Sequence, residues 1–269
     1  MQGAGGDVSL LVGAGDALDG GNMIAVAGDS SAHAYSGGGV VVTAGTGTNV
    51  AADGSAGGAV LVTGGEALGS NNASNSGGDI ILTGGAATSA EGGNLRFLTG
   101  GSAEASSGEV FIGSANSGIQ GVSGGMLLST GDSAGGPSGG LQLRTGDALR
   151  GKGGGLVLMV GIGDRGTGGD VLIGAGSTIS DEGSGGNMEI VGGASRFNVG
   201  GSVVISSGVS NTTNSGALVL GTVGSGVHGV SGGMQLSTGE SLVGSSGHLE
   251  ATTGGSMGGA GGDISLVVG

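Results

Sequence analysis

Three stretches of this chain carry residues at the spacing of familiar chemistry. Gly161, Gly163 and Gly166 spell G-x-G-x-x-G straight after the apolar run 156–160, the order in which a dinucleotide fold offers main-chain amides to a pyrophosphate. Residues 146–152, GDALRGK, approach a phosphate-binding loop. Ser123, Ser138 and Ser231 each sit in G-x-S-x-G, the turn that exposes a nucleophilic serine. Each pattern needs a companion. Both glycine loops must open a helix, yet Gly168-Gly-Asp-Val-Leu-Ile begins another apolar burst at once, and Gly153 stands where a phosphate loop requires Ser or Thr. A serine nucleophile needs a base in reach, and the chain has only His33, His228 and His248. His228 takes the place of Gln120 in an equivalent stretch, as a surface position would. Glycine abundance accounts for all three patterns, and neither a catalytic residue nor a cofactor is expected: the chain reads as no enzyme.

Carboxylates make the other candidate site. Asp7, Asp79, Asp170 and Asp263 begin apolar bursts, and Asp16, Glu66, Asp132, Asp147 and Glu240 follow them. Calcium is the cation such residues would hold, and Asp7, Asp79, Asp170 and Asp263 are its candidates. The calcium-binding nonapeptide G-G-x-G-x-D-x-φ-x fits no part of the chain, and the aspartates do not recur in consecutive units. Diffuse screening by divalent cations is the expectation, with no dedicated metal site. Two sequons, Asn72-Ala-Ser and Asn211-Thr-Thr, fall between bursts and are glycosylation candidates.

The composition narrows what can position these residues. Of 269 residues 75 are glycine, one is proline and none is cysteine, and only four are aromatic. An ordinary core of bulky side chains cannot be built from that set. The chain is 36% apolar and only 10% charged, the wrong balance for a solvated coil. There is no Gly-X-Y register, which excludes collagen. A net charge of −14 argues against nucleic acid and anionic membranes as partners. No apolar run reaches the ~18–20 residues of a membrane span. Residues 1–6 carry neither a basic nor an apolar leader segment, so any secretion signal is expected to lie outside this stretch.

The glycines are spaced. The unit is Gly/Ser-Gly-x-φ-x-φ-x-x-Gly plus about six small or polar residues. It opens at 5, 20, 37, 57, 77, 92, 107, 123, 138, 153, 168, 185, 200, 215, 231, 246 and 261, seventeen times in all, mostly 15 residues apart. The whole of 1–269 reads as one continuous array. Within it, residues 77–161 map without a gap onto 185–269, an offset of 108, and 22 of 40 positions are identical between 107–146 and 215–254. This is a duplicated block of seven units.

Each unit holds a short burst such as DIILTG at 79–84 or SVVISS at 202–207, rich in β-branched residues and bounded by glycine. That is a strand signal, and glycine every few positions opposes a helix. One strand and one return per 15 residues predicts an all-β chain. The expected form is a parallel β-solenoid of about 17 coils with glycine at the corners, roughly 80 Å long at ~4.8 Å per coil.

Between the two φ positions of each burst stands a residue that should face outward. Nine of these are large and apolar: Val41, Leu61, Ile81, Phe111, Leu127, Val157, Leu172, Val204 and Val219. An apolar stripe of that kind marks an interface, here an assembly face, or else an inner face covered by the returns. Neither end of the array carries a capping segment, which predicts either a longer parent array or end-to-end stacking.

The motif Ser-Gly-Gly-φ-x-φ-Ser-Thr-Gly at 123–131 and 231–239 resembles glycine-rich repeats of extracellular filament and cell-surface proteins of algae, diatoms and other stramenopiles especially. The resemblance implies an extracellular or cell-surface structural role. Together these features predict a structural protein whose partner is itself. It would polymerise, end to end or laterally, into an extracellular filament, sheath or appendage, and possession of sequons adds glycans as partners. The alternative is an adhesin-like module whose flat face binds ice, mineral or polysaccharide.

Overall fold

The computed structural model describes residues 6–16, 19–51, 54–69 and 75–268. Among them there is no helix, no strand and no sheet. The expectation of an all-β parallel solenoid is therefore overturned, coils and stacked strands alike. The chain divides into two units, Met1–Leu141 and Gln142–Gly269.

What the main chain does instead is local. Fourteen backbone hydrogen bonds join the described residues, against the roughly one per residue of a globular fold. Nine of them close the returns: the amide of a glycine opening one burst donates to the carbonyl of the glycine closing the burst before. In the first unit Gly21 N–H bonds Gly13 O at 3.3 Å, Gly38 bonds Gly28 at 2.8 Å, Gly58 bonds Gly45 at 2.8 Å, Gly78 bonds Gly65 at 2.9 Å, Gly93 bonds Gly85 at 2.8 Å and Gly108 bonds Gly100 at 3.0 Å. In the second, Gly186 bonds Gly176 at 2.9 Å, Gly201 bonds Gly193 at 2.8 Å and Gly216 bonds Gly208 at 2.9 Å. Nine returns thus become small closed loops, joined to their neighbours by the bursts. The remaining five bonds are tight turns, including Gly118–Gly121 and its equivalent Gly226–Gly229.

Glycine is required where these loops close. A Cβ on Gly84 or Gly192 would run into the carbonyl oxygen of Gly93 or Gly201, and one on Gly64 into that of Gly78. No side chain can be accommodated against a backbone oxygen, because neither partner can rotate away. The solenoid would need these same amides to bond residues in the next coil. Those flanking amides are bonded within nine of the returns, and the burst residues make no backbone bond among the described residues, so no ladder forms. Units spaced 15, 16, 17 and 20 residues apart would also throw such a ladder out of register.

No described residue is buried, and only Ala27, Ala44, Gly47, Gly192 and Ser210 are even half-buried. A folded chain of this mass exposes about 10,000 Å² and a fully extended one about 35,000 Å²; this chain exposes 26821 Å². The returns are short, and their own apolar residues, Leu149, Ile162 and Met257 among them, stand fully exposed instead of lying over the bursts, so no core forms among the described residues.

Replacing Gly84 or Gly192 by Ala is expected to break the adjoining closure, a loss of about 0.5–1.5 kcal/mol for each hydrogen bond. The amide temperature coefficients of Gly93 and Gly201 in NMR should rise to the solvent-exposed range. Ala at Gly131, where a Cβ meets nothing within 4 Å, should leave them unchanged.

Candidate functional site

The returns and the bursts contribute differently, and the returns come first. A bend recurs once per unit at 88–90, 103–105, 134–136, 149–151, 164–166, 196–198, 211–213, 242–244 and 257–259. Six of these are held by a serine two residues past the closing glycine, whose hydroxyl accepts from the amide three residues on. The pairs are Ser102 with Ala105 at 2.9 Å, Ser133 with Gly136 at 3.1 Å, Ser195 with Asn198 at 3.0 Å, Ser210 with Thr213 at 2.9 Å, Ser241 with Gly244 at 3.0 Å and Ser256 with Gly259 at 2.9 Å. Ser210 also meets the Thr213 hydroxyl at 2.9 Å. These side-chain turns take backbone amides that a sheet would otherwise use. The sequence reading passed over the serines, although a constant offset from glycine was there to find them.

The patterned glycines of 161–166 form a bend at 164–166, with Gly166 at φ +75°, a left-handed conformation that suits glycine, and no helix follows. GDALRGK likewise ends in a bend at 149–151. Ser123, Ser138 and Ser231 are exposed, and none is hydrogen-bonded to a histidine among the described residues. His228 lies in the exposed turn Gly226–Gly229 and His33 in the exposed turn Ala32–Tyr35. His248 stands 3.6 Å from Glu250, both open to solvent.

Asp7, Asp79, Asp170 and Asp263 are all exposed, and no cluster of three metal-ligating side chains occurs among the described residues. Asp147 lies 3.8 Å from Arg144, at 93% and 73% side-chain exposure, where such a pair contributes little. Asn211 sits in the exposed bend of the closed return Gly208–Gly216. Asn72 lies outside the described residues. No cavity is present among the described residues, and none of their helices is long and apolar enough to cross a membrane, since there is no helix.

The bursts carry the surface of interest. In every one of the nine with a large apolar middle residue, that residue is more exposed than the two beside it. Val110, Phe111 and Ile112 are 55%, 88% and 70% exposed, and their equivalents Leu218, Val219 and Leu220 are 52%, 85% and 65% exposed. Val41, Leu61, Ile81, Leu127, Val157, Leu172 and Val204 stand out from their neighbours in the same way. The alternation of an extended chain thus persists without a sheet, and it directs one apolar residue per burst to solvent.

No protein-family model, curated protein or solved structure matches this chain.

Substituting Ser210 by Ala removes the acceptor for the Thr213 amide, and hydrogen exchange at Thr213 should accelerate roughly fivefold, the equivalent of ~1 kcal/mol for one hydrogen bond. Exchange at the Gly216 amide, held by Gly208, should change far less.

Proposed function

We propose that this chain is a structural, non-enzymatic protein that associates with copies of itself in an extracellular or cell-surface filament, sheath or appendage. The observation that carries this reading is the row of outward apolar residues with no core behind it: Val41, Leu61, Ile81, Phe111, Leu127, Val157, Leu172, Val204 and Val219. Exposed apolar surface of that extent marks an interface in a chain that functions in water. Complete burial removes ~60–120 Å² per aliphatic side chain, on the figures of 1.5–3 kcal/mol and 25 cal/mol per Å². Five such residues in the first unit and four in the second therefore offer roughly 300–600 Å² and 240–480 Å² for burial. The apolar residue recurs in nine of the seventeen units, so the contact is distributed along the sequence rather than confined to one burst. Asn211, exposed on a return away from the bursts, is the position where a glycan would leave this face free.

Charge opposes association. At −14 per chain, copies repel until salt screens them, the Debye length falling from ~30 Å at 0.01 M to ~3 Å at 1 M. Sedimentation and electron micrographs across that range should show small species giving way to elongated assemblies as salt rises. A chain that stays monomeric throughout, or assemblies that dissolve at high salt, would overturn the proposal. Retention of a strictly monomeric chain on ice, mineral or polysaccharide would favour the adhesin-like module instead.

Phe111→Ser and Val219→Ser should each raise the concentration needed for assembly about tenfold or more, from the ~1.5–3 kcal/mol of lost burial. Turbidity or light scattering against concentration reads this directly. Ser206→Ala, at an exposed small residue outside the apolar face, should leave the threshold within twofold.

A further inference from the structure

Basic residues are few in this chain and unevenly placed. Of the six, Arg144, Arg150, Lys152 and Arg165 fall in one stretch, which also holds GDALRGK at 146–152 and the patterned glycines of 161–166. Hydrogen bonds thin out over the same residues. The returns up to Gly136 and those from Gly176 onward are each held by a glycine closure, a serine hydroxyl or a tight turn. Between Gly136 and Gly176 a single hydrogen bond occurs among the described residues, from the Thr145 hydroxyl to the Gly154 carbonyl at 3.3 Å.

The bends at 149–151 and 164–166 therefore have neither a glycine closure nor a serine hydroxyl, and each of the other seven bends has one or both. Arg150 is the middle residue of one unheld bend and Arg165 of the other, and both are exposed. Neither they nor Lys152 form an ion pair among the described residues. The remaining two basic residues are placed otherwise. Arg196 lies in the return closed by Gly193–Gly201 at 2.8 Å, in a bend where Ser195 accepts from the Asn198 amide at 3.0 Å. Its guanidinium is 5.1 Å from the centre of the Phe197 ring. Arg96 lies in the burst between the closures Gly85–Gly93 and Gly100–Gly108.

An endoprotease binds its substrate as an extended segment, so a held loop must open before it is cut, and the opened population sets the rate. Exposed loop tips of small residues are where such nicking concentrates. A pocket with a carboxylate at its base selects Arg or Lys before the cut. Glycine follows Arg150, Lys152 and Arg165, leaving no bulk after it.

We infer that residues 144–166 are the processing segment of this chain, where an endoprotease specific for basic residues cuts first, after Arg150, Lys152 or Arg165. In each cut the oxygen of a water joins the arginine or lysine carbonyl carbon, the C–N bond breaks, and the glycine nitrogen leaves as an amine. A cut here keeps Met1–Leu141 whole on one product and frees residues 166–269 on another once Arg165 is cut. The cuts need only a single copy, so they stand apart from the self-association proposed above.

Limited trypsin digestion of the full-length chain in dilute low-salt solution, with products identified by mass, reads this order. Each rate is divided by that of a short synthetic peptide spanning the same bond, which removes the effect of neighbours such as Asp164. Cleavage after Arg150, Lys152 and Arg165 should run within about threefold of the peptides. Cleavage after Arg196 should be slowed by about tenfold or more relative to its peptide, because two hydrogen bonds hold that return. Equal ratios at all four residues, or Arg196 cut ahead of the others, would overturn the assignment. Ser195→Ala removes the acceptor in the Arg196 bend and should speed that cut roughly fivefold while leaving Arg165 within about twofold. An Arg196 rate that does not respond would show that hydrogen bonding does not choose the site, and would count against the segment equally.

Discussion

A carbonyl on one glycine and an amide on another, eight to thirteen residues later, set the terms for everything else in this protein. By bonding inside the return, the closing glycines fold nine of the units upon themselves, while the burst residues between them make no backbone bond among the described residues. The closure depends on the absence of a side chain, since at Gly64, Gly84 and Gly192 even a methyl group would meet backbone oxygen. Serine hydroxyls strengthen the same choice by holding the bend within the loop. A chain so rich in glycine loses more backbone entropy than most on folding, and short closures order only a few residues at a time. The cost is that the apolar bursts are left without a partner.

That deficit gives the chain its proposed role. A burst with an outward Phe111 or Leu172 is a poor neighbour for water and a good one for another burst. The large side chains of the returns, such as Leu149 and Met257, are themselves fully exposed and cover no burst. The opposing term is the net charge of −14, which long-range repulsion makes decisive at low salt and weak at high salt. Apolar attraction that repeats along the chain, set against repulsion that salt can remove, is the balance expected of a subunit kept apart until it is needed.

The repeat was fully legible in the amino-acid order. Bends at 88–90, 103–105, 134–136 and 149–151 fall one to a unit, in the segments between bursts, and repeat at the block offset. So was the alternation within bursts: the middle residues named from spacing alone are the more exposed ones. The sheet was not legible, and the reason is specific. A run such as Val203-Val-Ile between glycines states that the chain is extended there, and says nothing about which residues its amides and carbonyls will meet. Glycine pairs suit the corners of a coil, where φ > 0 is useful; yet the described glycines at positive φ are Gly54 and Gly166, and pairs such as Gly84-Gly85 and Gly192-Gly193 act instead through close backbone approach. The chemistry-like motifs dissolved for the same reason in each case. Gly166 and Lys152 adjoin bends where a phosphate site would need a helix, and Ser123 has no base beside it.

The account stands on the claim that one copy alone leaves its bursts open and that burial comes from other copies. Amide hydrogen exchange of 110–112 and 218–220, followed by mass spectrometry first in dilute low-salt solution and then in assembled material, tests this most directly. Exchange in the dilute chain should run near the rate of an unstructured peptide, and in the assembly it should slow by at least a hundredfold. Bursts already protected in the dilute monomer would show that a single chain covers them itself, and the account would fail.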